Sequence, residues 1–158
     1  MGYAERVLQA GESIVYRARL HWIIYVPGVL FVLLAAAIAV AAAVLTNDTI
    51  RIGLAIAAAI ALLIGLYHLI GAWIGQVNTE IIVTTRRVIY KTGFISRNTV
   101  EMNLDKVESV LVQQGILGRM LDFGTVIIRG VGAGLEPVDN IGAPLELHRH
   151  VGAPLAPN

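Results

Sequence analysis

Two long runs of this chain hold no Asp, Glu, Lys or Arg: Trp22 to Leu45 and Ile52 to Ile74. As helices each would be about 35 Å long, against about 30 Å for the hydrocarbon core of a bilayer. In a chain of 158 residues too little sequence remains to cover two such helices on all sides, which disfavours a buried pair in a soluble core. The runs read as two transmembrane helices joined by the tight loop "TNDTIR", Thr46 to Arg51. A cleaved signal peptide fits poorly. The first run begins near residue 22, the stretch before it carries Glu5 and Glu12 as well as arginines, and a second apolar run follows at once.

Basic residues orient the pair. Arg6, Arg17 and Arg19 precede the first run, and Arg86, Arg87 and Lys91 follow the second. The connecting loop has Arg51 with Asp48 nearby. This bias predicts both termini in the cytoplasm and the loop outside. Trp22 and Tyr25 open the first helix and Trp73 closes the second, on the same side, where an aromatic belt would lie. Cysteine is absent, which suits a cytoplasmic domain.

Small residues recur at four-residue spacing: Gly53, Ala57, Ala61 and Gly65 in the second run, Ala35, Ala39 and Ala43 in the first, and Gly71 with Gly75 near the exit. Such stripes let helix backbones approach closely in lipid. They serve either the packing of the two helices of one chain or contact between chains. His68 is a polar group inside a span, expected to snorkel or bond a neighbouring carbonyl rather than carry protons or metal. Pro27 reads as a first-turn proline.

The second half is built of short strand-like runs. "TEIIVTT" and "RRVIYKTG" meet at Thr84 to Arg87. "NTVEMNL" alternates, with Val100, Met102 and Leu104 on one face and Glu101 and Asn103 on the other. "KVESVLVQ" and "GTVIIRG" are further strands, and "LEPVDNI" is extended, with Pro137 favouring an edge. "ILGRMLDF" is a short turn or helix expected to be buried through Ile116, Leu117, Leu121 and Phe123. "APLELHRHV" starts a short terminal helix at Pro144, and a disordered tail is expected to follow.

Signs of chemistry are few. The glycines from Gly130 to Gly134 form a GxGxG core, but no helical pattern follows, so they read as a hairpin loop rather than a phosphate cradle. His148 and His150 flank Arg149 without further ligands at suitable spacing. There is no nucleophile elbow, paired-carboxylate constellation or HExxH. No catalysis, cofactor, metal or nucleic-acid partner is expected.

Read together, "TEIIVTTRRVIYKTGFISR", "EMNLDKVESVLVQQGILGRMLDFGTVIIRG" and "EPVDNIGAPLELHR" resemble the bacterial pleckstrin-homology (PH)-like membrane proteins. "GESIVYRARLHW" ahead of two apolar runs resembles the same family, so the likeness covers most of the chain. It implies antiparallel strands bent into two near-orthogonal sheets, with a C-terminal helix over one opening. The expected division is a cytoplasmic segment over 1–21 with a candidate strand, a helical hairpin over 22–75 (22–45 and 52–74), a PH-like domain over 76–151, and a tail over 152–158. From Thr79 to Val151 there is little room for seven strands, so "ESIVYRARLH" or a neighbouring chain would have to cover an open sheet edge.

Arg86, Arg87, Lys91 and Arg97 lie soon after the exit, where basic residues gain about 1 kcal/mol each near an anionic leaflet. They are candidates to face lipid headgroups, or they are topology signals on a solvated strand. Phosphoinositide specificity is not carried over, because the usual spaced Lys/Arg signature is missing. Three functions fit. The first is a non-catalytic, membrane-anchored module at the inner face of the bacterial plasma membrane that assembles with itself or another membrane protein. The second is a lipid-binding or lipid-sensing protein of the inner leaflet. The third is a small oligomeric channel or transporter, which lacks the intramembrane charges that usually mark ion paths.

Overall fold

The computed structural model describes residues 11–93, 98–131, 133–134 and 137–152. The chain forms two compact units. One contains residues 22–74, and the other joins the residues up to His21 with those from Gly75 onward.

The first unit is a helical pair. A 3-10 turn, Trp22–Tyr25, leads into α1, Val26–Val44, with Pro27 in its first turn, where a missing N–H costs nothing. The second helix, α2, is longer than expected, running Asp48–Asn78. It begins early because the Asn47 side-chain oxygen accepts the amides of Thr49 and Ile50 at 3.1 and 3.2 Å, capping it. Asp48 then sits in the first turn, paired with Arg51 at 3.3 Å. Both helices are long and apolar enough to cross a membrane, and only 11% and 17% of their most apolar windows is buried.

The helices pack through small residues. Gly28, Ala35 and Ala42 are buried on α1, and Ala58, Ala61 and Gly65 on α2. A Cβ on Gly65 would meet Val32 Cγ2 at 2.9 Å and the Gly28 carbonyl at 3.2 Å.

The second unit is two antiparallel sheets and a C-terminal helix, the arrangement the resemblance implies. The first sheet has the order β1 (Ile14–Arg19), β2 (Glu80–Thr84), β3 (Arg87–Thr92), β4 (Asn98–Asn103). A 3-10 turn at Leu104–Lys106 leads to the second sheet. There β6 (Phe123–Gly130) pairs with β5 (Val107–Gln113) on one side and with β7 (Ala133–Gly134) and β8 (Val138–Gly142) on the other. The segment before the helices thus supplies a strand, with Arg19 opposite Glu80 and Ala18 opposite Ile81. A Leu20–Ile141 bridge joins this end of β1 to β8. The core gathers Ala18, Ile81, Val83, Val88, Val126, Ile128 and Ile141, closed by Leu147 and Val151 of the terminal helix. Ile82 and Ile89 form a smaller cluster with Ile14.

Three expectations are corrected. Seven strands do fit after the helices, because β7 is only two residues long. Val100, expected beside Met102 and Leu104, is 44% exposed while those two are buried, because β4 is an edge strand. The third correction concerns "ILGRMLDF". It forms α3, Ile116–Leu121, with Ile116, Leu117, Met120 and Leu121 turned outward at 83, 66, 76 and 39% exposure, and Phe123 is only partly buried. Gly118 takes the inward face instead, since a Cβ there would meet the Phe123 carbonyl oxygen at 2.5 Å. The terminal helix, α4, runs Pro144–Gly152. Its continuation as a disordered tail lies outside the described residues.

Candidate functional site

The β2–β3 hairpin carries the predicted basic residues, and its geometry divides them. Thr84 ends β2 and closes the turn, its hydroxyl accepting the amides of Arg87 at 3.0 Å and Arg86 at 3.3 Å and donating to Glu12 Oε1 at 2.7 Å. Arg87 turns inward. Its Nε donates to Glu12 Oε1 at 2.9 Å, its Nη2 to Glu12 Oε2 at 2.8 Å, and its Nη1 to Glu101 Oε2 at 2.6 Å. The Arg87 side chain is 11% exposed and that of Glu12 is fully buried. Hydrogen bonding to Glu12 raises the guanidinium pKa above its ordinary value; burial opposes this, and the Glu101 charge adds to it. A guanidinium gripped by two carboxylates is a structural tie between β1's lead-in, β3 and β4, and it is not open to a headgroup.

Arg86, next to it, is exposed. It borders a cavity of about 500 Å³ with Glu12, Thr85, Arg87, Asn103, Leu104 and Asp105. A neighbouring cavity of about 420 Å³ is lined by Val15, Thr84, Thr85, Leu104, Glu146, Arg149 and His150. Acid and base are balanced around the first hollow, so it is not a cationic phosphate trap.

These hollows lie far from the place where the chain leaves the domain for the apolar helices. That root is formed by Leu20 and His21 on one side and Gly75 and Gln76 on the other. The Gln76 side chain reaches the Leu20 carbonyl at 3.5 Å, and the His21 amide donates to the Asn140 carbonyl at 2.6 Å. β2 begins at Glu80 beside the root and ends at Thr84, about 14 Å away at strand spacing. Lys91, opposite Glu80, stands at the root end of β3. The hairpin therefore separates Arg86 and Arg87 from Lys91. Arg97 lies outside the described residues.

The other candidates resolve as follows. Gly130 admits Met102, whose sulfur would lie 2.6 Å from a Cβ there, and pairs with Ala133 in the β6–β7 hairpin; among the described residues the next element is β8, not a helix. His150 stacks on Tyr16 at 4.7 Å and places Nδ1 2.8 Å from the Glu146 carbonyl. Among the described residues no three His, Cys, Asp or Glu side chains gather as metal ligands. In the helical pair, Ala61 and Gly65 lie on the intramolecular contact, whereas Ala57 is exposed and a Cβ on Gly53 or Gly71 would meet nothing within 4 Å. Gly75 belongs to the root, where a Cβ on it would lie 3.7 Å from the Leu20 side chain. Trp22 and Trp73 are 54 and 59% exposed and Tyr25 is partly buried. His68 stacks on Phe31 at 5.8 Å.

The bacterial PH domain family matches the chain over residues 15–153, from inside β1 to the end of α4. The chain belongs to the bacterial PH domain family. The match takes in β1 and both apolar helices as well as the strands that follow, so this PH domain has its helical pair inserted between its first two strands. No curated protein and no solved structure gives a match. Reading the bacterial PH domain from sequence missed Glu12 and Glu101 as the partners of Arg87. Glu12 stands 75 positions away across the helical insertion, beyond any local pattern. Glu101 carried a signal in hindsight, being a carboxylate on the polar face of an alternating strand.

Proposed function

We propose that this protein is a non-catalytic interaction module of the bacterial plasma membrane. Its two apolar helices span the bilayer, both termini are cytoplasmic, and copies assemble through the PH domain and the helices. What supports assembly is a pair of open sheet edges. Among the described residues β4 pairs only with β3 and β5 only with β6, and each edge holds an apolar side chain in solvent, Val100 and Leu111, both 44% exposed. Unpaired edges of this kind are templates for another chain. The exposed Gly53 and Ala57 leave a second close-packing face on α2. The test is the mass of the complex in mild detergent and in nanodiscs. A defined oligomer is expected; a monodisperse monomer in both would overturn assembly.

Inner-leaflet lipid binding is the second reading. It is favoured by Lys91 at the root end of β3, since that cation pairs across from Glu80, where β2 begins, whereas Arg86 lies at the far end of the hairpin. Its test is binding to anionic liposomes by a chain in which a short linker replaces residues 22–74. Binding lost on raising salt supports it.

A further inference from the structure

We propose that α3 is a hydrophobic spur that enters the interfacial layer of the bilayer. The proposal rests on the membrane reading above and adds a third point of attachment to it.

The short helix shows its apolar side chains to solvent. Ile116 and Met120 are 83 and 76% exposed, more than nearly every other large apolar residue of the second unit, and Leu117 is 66% exposed. The exposure is built in. Gly115 starts the helix in an extended conformation, and Asp122 ends it in the left-handed region at φ 57°. The Gln114 side-chain amide donates to the carbonyls of Gly118 at 3.3 Å and Phe123 at 3.1 Å. Gly118 then lets the helix press directly on the Phe123 carbonyl. A helix fastened through glycine and an amide, with its bulky residues on the outside, is shaped to place those residues in an apolar medium.

Position identifies the medium. Phe123, two residues beyond α3, stacks its ring on His21 at 5.3 Å. His21 is the last residue before Trp22, where the first apolar segment begins. The β5–β6 connection therefore lies at the root of the domain, at the level where the chain enters the membrane. Arg119 on the same helix is exposed and adds a cation suited to anionic headgroups. Large apolar residues beside a cation on a surface helix are the composition of interfacial anchors.

The chain has no cysteine, so single labels are unambiguous. The full chain carrying Met120→Cys, or Ile116→Cys as a second variant, is labelled with a nitroxide and reconstituted in phosphatidylethanolamine–phosphatidylglycerol vesicles. Collision rates with oxygen and with a water-soluble nickel chelate are compared. Labels at Arg86→Cys, Leu33→Cys and Ile60→Cys serve as references. The expected result is an oxygen-to-nickel ratio at Met120 several-fold above that at Arg86. If Met120 is as water-exposed as Arg86 while Leu33 and Ile60 lie in lipid, the spur is overturned and the anchor stands. If Leu33 and Ile60 are also in water, both fail. If the Met120 label is shielded from both reagents and shows dipolar broadening that vanishes on dilution with unlabelled chain, a second copy covers α3 and the lipid proposal is overturned.

Discussion

Arg87 and Lys91 point from the same face of β3, yet the hairpin sets them at its two ends. Arg87 lies opposite Asn103 and Lys91 opposite Thr99, about 14 Å apart at strand spacing. One is spent inside the protein on Glu12 and Glu101; the other stands at the root. Two members of one basic cluster in the sequence thus stand in different surroundings.

Arg87→Met leaves the Glu12 carboxylate buried without its fork, and breaking a buried pair costs about 3–5 kcal/mol. Hydrogen exchange of the β2 and β3 amides should speed up by about a hundredfold or more. Arg86→Gln, at an exposed site, should change stability by less than about 0.5 kcal/mol. Equal behaviour of the two variants would refute the division.

Residues 76–158 expressed alone lack β1, and with it Ala18 and the partner of β2. That fragment should melt without cooperativity or aggregate. The chain with residues 22–74 replaced by a short linker restores β1 and should unfold in one transition. Circular dichroism against temperature compares them.

Gly65→Leu should splay the helical pair, because Val32 and the Gly28 carbonyl already stand where the side chain would go. Gly53→Leu and Ala57→Leu should leave the pair intact and reduce only association between chains. Distances between spin labels on the two helices report the first effect, and complex mass reports the second.

Burial raises the Tyr16 pKa above 10.0, with the charges of Glu146 and Asp122 adding to it. The folded chain then holds this proton more tightly than the unfolded one. The stabilisation is whole below pH 10.0 and is lost as the pH climbs through the folded-state value. Tyr16→Phe, which has no proton to lose, should flatten the decline of melting temperature above pH 10.0. An unchanged alkaline limb would remove Tyr16 as its source.

A reporter enzyme active only outside the cytoplasm should be silent when fused after Asn158 and active when placed between Thr46 and Arg51. The reverse pattern would invert the proposed orientation.

The parts legible in the sequence were those with a local period. Charge-free runs marked α1 and α2, strand-forming runs between turn residues marked β2, β3, β5 and β6, and alternation marked β4. What escaped was set by contacts at long range. Hydrophobicity put Ile116 and Leu117 in the core, but Gly118 can approach the sheet more closely than they can, so the helix turned them out. The stripe from Gly53 to Gly65 has one spacing but two environments, because a four-residue step drifts around a helix of about 3.6 residues per turn, so the buried face passes from Gly65 and Ala61 to Ala58 and leaves Ala57 and Gly53 outside. Arg87 looked like its neighbour because nothing near it announces Glu12.

The pairing of Arg19 with Glu80 also sets a clock. The nascent chain emits β1 about sixty residues ahead of its partner strand. At about 5–20 residues per second the ribosome needs about 3 to 12 s to deliver β2. For that interval β1 waits unpaired while both apolar helices are made. Closure of the β-domain therefore waits until both helical segments have been made, and a chain cut short within them keeps an unpaired strand that quality-control proteases can seize.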